Sequence, residues 1–249
     1  MKCWICNAPA DTAEHRIKKS DLTALHGKGH YKNGGSLVMI KDGKEIPIQG
    51  PNSKHLQYNK TLCRKCNGAK TQDFDFSYSD FTNYLLEQQE LILHKRFIDF
   101  RDVYGENFES GQRNLYKYFV KSFCCRLVNA GRNVPKHLVK LLEKDRFLTK
   151  LRITFAINED KVLLLKDKVE IVGNGELWIL SNSTIADNCS YSFSEYLSYL
   201  HIFHWYNCTT DGRLGSPWTA DSQFIYLGSF SPLSAEQRKE MIEKINKEK

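Results

Sequence analysis

Two Cys-x-x-Cys pairs, Cys3 with Cys6 and Cys63 with Cys66, constrain this chain more than any other feature. Each pair supplies two thiolates, so together they can close a tetrahedral, water-free zinc site of the structural kind. No cysteine lies between the pairs. The remaining four, Cys124, Cys125, Cys189 and Cys208, show no spacing of a disulfide framework, so reduced thiols in a reducing compartment are the expectation. Zinc accounts for the cysteines only. It leaves Glu14, His15 and Asn67, an acid, a base and an amide, unexplained beside the knuckles.

Positive charge is segregated with those knuckles. Residues 1 to 72 hold 13 Lys and Arg against 5 Asp and Glu, whereas the rest of the chain is nearly balanced at 23 against 24. Concentrated basic charge is the electrostatic footprint of a phosphate-backbone binder. Lys18, Lys19, Lys54, Lys60, Arg64, Lys65 and Lys70 are the candidate nucleic-acid contacts. No apolar run approaches the ~18–20 residues that cross a bilayer. Zinc ligands beginning at residue 3 leave no room for a leader, so a cytoplasmic protein away from the membrane is expected.

The length suits an α+β protein of two parts, 1–76 around the zinc and 77–249 beyond it. In the first part, Glu14 to Ile17 reads as a strand or strand end, and residues 21 to 35 as loop. Residues 36 to 48 read as a hairpin about Asp42-Gly43. A helix is expected to start near Cys66 or Asn67. In the second part, Ser77 and Asp80 read as a capping box, followed by Phe81, Tyr84, Leu85, Leu91 and Ile92 at helical spacing.

Further helices are expected over 110 to 130, with Leu115, Tyr118, Phe119, Phe123 and Leu127 as the stripe, and after Pro135. Strands are expected at Leu151 to Ile157, Val162 to Lys166, Leu177 to Leu180 and Phe224 to Leu227. Tyr196 to Tyr206 is apolar at two of every three positions; Ser194-Glu195 ahead of it reads as a helix start. If that segment is helical, His201 and His204 share a face, without a carboxylate partner. Ser234 with Gln237 caps a last charged helix.

Phosphodiester hydrolysis needs an activated water and a cation to neutralise the phosphorane and the leaving oxygen. Imidazole, with an unperturbed pKa of ~6.5, is largely neutral and able to take a proton near pH 7. A carboxylate and an amide carbonyl suit a hard divalent ion. Consecutive strand residues point to opposite faces, so Glu14 and His15 need a bend to serve one site.

Cys-x-x-Cys, then Glu14-His15 with Ile17 two on, then Leu62-Cys-x-x-Cys-Asn67-x-x-Lys70, resembles the HNH, or ββα-metal, endonuclease family in its zinc-stapled form. The resemblance covers about the first 75 residues. It implies an N-terminal ββα-metal domain, DNA as substrate, His15 as general base, and Mg²⁺ or Mn²⁺ held by Glu14 and Asn67. The four cysteines would hold a separate zinc, and Asn59, with His55 as competitor, would be the family's middle residue. Lys18-Lys19 stands where many members carry Pro, and the long step from His15 to Asn67 makes the hairpin an insertion.

Two rivals need fewer of these residues. A non-catalytic zinc ribbon binding nucleic acid needs the cysteines and lysines but not Glu14, His15 or Asn67. An interaction subunit of a defence or mobile-element complex would work through 77–249, the region also open to a homodimer or a protein partner.

Overall fold

The computed structural model describes residues 1–27, 31, 37–41, 44–144, 147, 149–165 and 172–247. Strand β1 (Thr12–His15) is followed by α1 (Lys19–His26), the hairpin β2 (Val38–Lys41) and β3 (Lys44–Pro47), and then β4 (Gln57–Leu62). β1 pairs antiparallel with β4, so the hairpin interrupts a two-stranded ladder. Lys41 stands opposite Lys44. The expected Asp42-Gly43 turn between them lies outside the described residues, as do Gly29, Gly34 and Gly35.

The helical stretch begins with the single turn α2 (Arg64–Asn67), then α3 (Gln72–Glu87) and α4 (Gln89–Lys95). Short β5 (Phe97–Asp99) and α5 (Phe100–Tyr104) lead into α6 (Phe108–Asn129), and Pro135 precedes α7 (Lys136–Lys144). β6 (Leu151–Asn158), α8 (Glu159–Leu165), β7 (Val172–Asn174), β8 (Trp178–Ser181), β9 (Ser190–Leu197) and β10 (Leu200–Tyr206) follow. The last elements are β11 (Phe224–Tyr226), β12 (Gly228–Phe230) and α9 (Ala235–Lys247). The mixture of helices and sheets is α+β.

The main sheet runs β12-β6-β10-β9-β7, with β8 also on β9. Among the described strands only β12 pairs in parallel, against β6. Helix α6 lies on this sheet: Phe119 packs on Phe155 and His204, and Phe123 on Phe193 and Tyr206. Its buried residues go well beyond the expected stripe and include Lys117, Lys121 and Arg126. One contiguous core joins Cys3, Ile5, Tyr58 and Leu62 to α3, α6 and the sheet. The 76/77 division falls inside α3, so the two parts share a helix and a core.

Several local expectations are overturned. Residues 21 to 26 are not loop but belong to α1, which buries Asp21 and Leu22 and ends where Gly27 turns to φ 79°. Ser77 is no cap; it is buried within α3, and its carbonyl accepts the Tyr104 hydroxyl at 2.8 Å. The expected helix start at Cys66 or Asn67 is displaced to Arg64, where α2 makes one turn before α3 starts afresh.

Val162 to Leu165 is helix α8, not strand. Asn158 caps it by accepting from Lys161 N–H at 3.2 Å, and Glu159 and Asp160 sit favourably in its first turn. Tyr196 to Tyr206 is not a helix but the end of β9 and all of β10, because α6 and the neighbouring strands bury aromatic residues on this hairpin. His201 and His204, three apart on a strand, therefore face opposite sides and share no site. The last cap holds: Ser234 and Gln237 exchange side-chain to backbone bonds at 2.9 and 3.2 Å.

Asp21 anchors α1 to α3 by accepting the Tyr78 hydroxyl at 2.8 Å, and it is only 3% exposed. Burial pushes its pKa up to about 6 from 3.8. The folded state therefore holds this proton more tightly than the unfolded chain, and the group's contribution to stability falls as pH rises from about 4 to about 6, by roughly 3 kcal/mol over the window. Denaturation midpoints across pH 4 to 7 are expected to show Asp21→Asn gaining on the wild type through that window. A constant difference between the two proteins would refute it.

Candidate metal centre and catalytic site

The first knuckle is a tight turn in which Asn7 N–H donates to the Cys3 carbonyl at 2.8 Å and Cys3 N–H to Ala8 at 2.7 Å. The second places Cys63 just ahead of α2, with Asn67 N–H on the Cys63 carbonyl at 2.9 Å. Asp11 links them by accepting Arg64 N–H at 2.8 Å, and Thr12 Oγ1 donates to the Leu62 carbonyl at 2.9 Å. The four sulfurs consequently lie within 4.8 Å of one another.

Cys6 and Cys63 Sγ are 3.6 Å apart. The sulfur–sulfur edge of a zinc tetrahedron with 2.3 Å bonds is about 3.8 Å, so the cluster has the size of a Cys₄ metal site. The Cys66 backbone N–H lowers the Cys63 thiol to about 7, while burial pushes Cys66 up. Four crowded thiols do not ionise together without a cation among them.

Strand β1 carries the candidate chemistry away from that cluster. Its pairing with β4 is irregular on both sides of Ala13. Glu14 turns inward, and its Oε2 meets Lys121 Nζ at 2.8 Å. His15 is half-buried, and its Nε2 lies 3.4 Å from the Gln57 amide nitrogen. Burial lowers the His15 pKa; Glu14 opposes this, and Lys19 and Lys121 reinforce it. The ring is therefore neutral near pH 7, the form that accepts a proton.

Asn67 joins this strand through Nδ2, which donates to the Ala13 carbonyl at 3.3 Å. Its Oδ1 is buried and has no hydrogen-bond partner among the described residues. An amide oxygen is a ligand type that a hard cation can take.

Asn59 is not joined to His15. Its side chain is exposed and its backbone N–H donates to Asn129 Oδ1 at 3.1 Å, while the residue opposite His15 is Gln57. His55, the competitor, is also exposed.

The basic residues divide. Lys19, Lys54, Lys60, Arg64 and Lys65 are exposed. Lys70 pairs with Glu143 at 3.1 Å. Lys18, expected on the phosphate-facing surface, is instead turned inward: its ammonium meets Asp75 Oδ1 at 3.1 Å and the Asp75 carbonyl at 2.7 Å, and lies over the Tyr78 and Tyr118 rings.

Sequence reasoning missed Gln57, Asp75 and Lys121. The last had a visible mark, a lysine in the apolar run Tyr118-Phe119-Val120-Lys121-Ser122-Phe123. No helix among the described residues is long and apolar enough to cross a membrane. No family model, curated protein or solved structure matches this chain.

Metal analysis of the purified protein is expected to return one zinc per chain. Structural zinc contributes on the order of 10–16 kcal/mol of apparent binding free energy, so Cys66→Ser should lose both the metal and the N-terminal fold. A native protein free of zinc would refute the assignment.

Proposed function

We propose that this protein is a metal-dependent endonuclease of the HNH, or ββα-metal, type, hydrolysing DNA phosphodiester bonds. The observation that carries the reading is the Asn67 latch: the residue that follows the second knuckle bonds to Ala13, next in the chain to Glu14-His15, and its buried oxygen has no partner among the described residues. Two antiparallel strands followed by a helical turn, with a histidine at the end of the first strand, match the order the reading requires.

In this reading His15, neutral through burial, takes the proton of the attacking water. Glu14 and Asn67 are the oxygen donors for Mg²⁺ or Mn²⁺, and a divalent ion bound there supplies neutralisation of the phosphorane and the leaving oxygen. Product is left with a 5′-phosphate. The Cys₄ cluster keeps β1 and α2 together and takes no part in the reaction. Exposed Lys19, Lys54, Lys60, Arg64 and Lys65 face the phosphate backbone. All eight cysteines are free, which suits a reducing compartment such as the cytoplasm.

Plasmid incubated with the purified protein is expected to be nicked or linearised with Mg²⁺ or Mn²⁺ and left intact with EDTA. His15→Ala should retain zinc and the circular dichroism spectrum while losing at least ~100-fold in cleavage rate, the scale of a missing general base. Undiminished cleavage by that variant moves the chemistry elsewhere. DNA binding without cleavage makes the protein a zinc-stapled binding module.

A further inference from the structure

Lys121 is the least expected group near β1. It comes from the middle of α6, its side chain is 1% exposed, and its ammonium meets three oxygens: Glu14 Oε2 at 2.8 Å, Asp75 Oδ2 at 3.2 Å and Thr71 Oγ1 at 3.2 Å. An ammonium has three N–H donors, so these acceptors exhaust it. Asp75 also binds Lys18, so two ammonium groups and two carboxylates form a balanced, largely buried set.

That balance keeps the lysine buried and charged, and Glu14 is one of the two carboxylates it needs. Asp75 and Thr71 alone would satisfy two of the three donors. Glu14 brings in the strand that carries His15, and only one of its carboxylate oxygens is used by the ammonium. A carboxylate can bridge, giving its other oxygen to a second cation, and a side chain fixed at one oxygen is already ordered for that role.

We propose that Lys121 is a positioning residue: delivered by α6, it holds the Glu14 carboxylate by Oε2 so that the other oxygen is presented, with Asn67 Oδ1, to a divalent cation. The inference rests on the nuclease reading for the role of Glu14. It also gives residues 77–249 a part in the site, since the group that orders the ligand comes from outside the first 76 residues. A second contact supports this closure, as Asn174 Nδ2 donates to the Arg16 carbonyl at 3.0 Å.

The test is a double-mutant cycle read by Mn²⁺ affinity, from the electron paramagnetic resonance signal of free Mn²⁺, on the full-length, zinc-loaded protein. Lys121→Met is expected to weaken Mn²⁺ binding at least ~10-fold in the wild-type background and to have no effect in the Glu14→Gln background, because Lys121 acts through that carboxylate. Tighter binding after Lys121→Met would show the lysine to be a competitor of the metal and overturn the proposal. So would an equal loss in both backgrounds, which marks a merely structural residue.

If Lys121→Met loses zinc and native circular dichroism, Lys121→Arg replaces it in the cycle. A planar guanidinium does not stand where a single ammonium does. Mn²⁺ affinity is then expected to change at least ~3-fold with Glu14 present and not in the Glu14→Gln background; no change overturns the proposal. Wild-type protein that binds Mn²⁺ with this dependence but leaves plasmid intact defeats the nuclease reading and keeps Lys121 in its role. Cleavage with Mn²⁺ affinity indifferent to Lys121 defeats the inference alone, and wild-type protein that binds no Mn²⁺ defeats both.

Discussion

Four sulfur atoms within 4.8 Å of one another hold residues 3 and 6 to residues 63 and 66. The other features around β1 depend on that closure. It sets Thr12 opposite Leu62 and brings α2 up against Ala13. A cluster of thiols is a poor staple by itself, because burial opposes ionisation within it, as the raised pKa of Cys66 indicates. A cation such as zinc removes that conflict and converts the crowding into binding energy.

The second constraint is electrostatic. Lys121 and Lys18 are drawn into the protein against the cost of leaving water, and each is answered by a carboxylate. Removing one partner from such a set leaves an uncompensated buried charge, which costs far more than a surface pair contributes. The set connects β1, α3 and α6, with Lys18 just ahead of α1. The partner of Glu14 comes from a 22-residue helix packed on both the N-terminal ladder and the main sheet.

How much was legible from residues alone depends on the range of the interaction. Cys-x-x-Cys knuckles are local geometry, and α6 and α7 announce themselves by apolar spacing and Pro135. The α8 helix was misread because Asn158-Glu159-Asp160 suits a turn and a helix start equally; only the capping bond to Lys161 separates them. The β9–β10 hairpin was misread because aromatic residues crowd both faces, which erases the alternation that marks a half-buried strand. Asn59 stands just before the second knuckle, and the irregular β1–β4 register sets Gln57 rather than Asn59 opposite His15.

The sequence by itself determined the cysteine framework, the α+β composition, the segregation of basic charge and the nearness of an acid, a base and an amide to the knuckles. These are properties of neighbours along the chain or of totals over it. Tertiary structure decided which side chains meet: that Lys18 turns inward to Asp75, that Asn67 latches Ala13, and that Lys121 reaches Glu14 from 107 positions away in the numbering. A buried ion pair needs two residues to be brought together and dried by everything packed around them. That information belongs to the whole fold and to no segment of it.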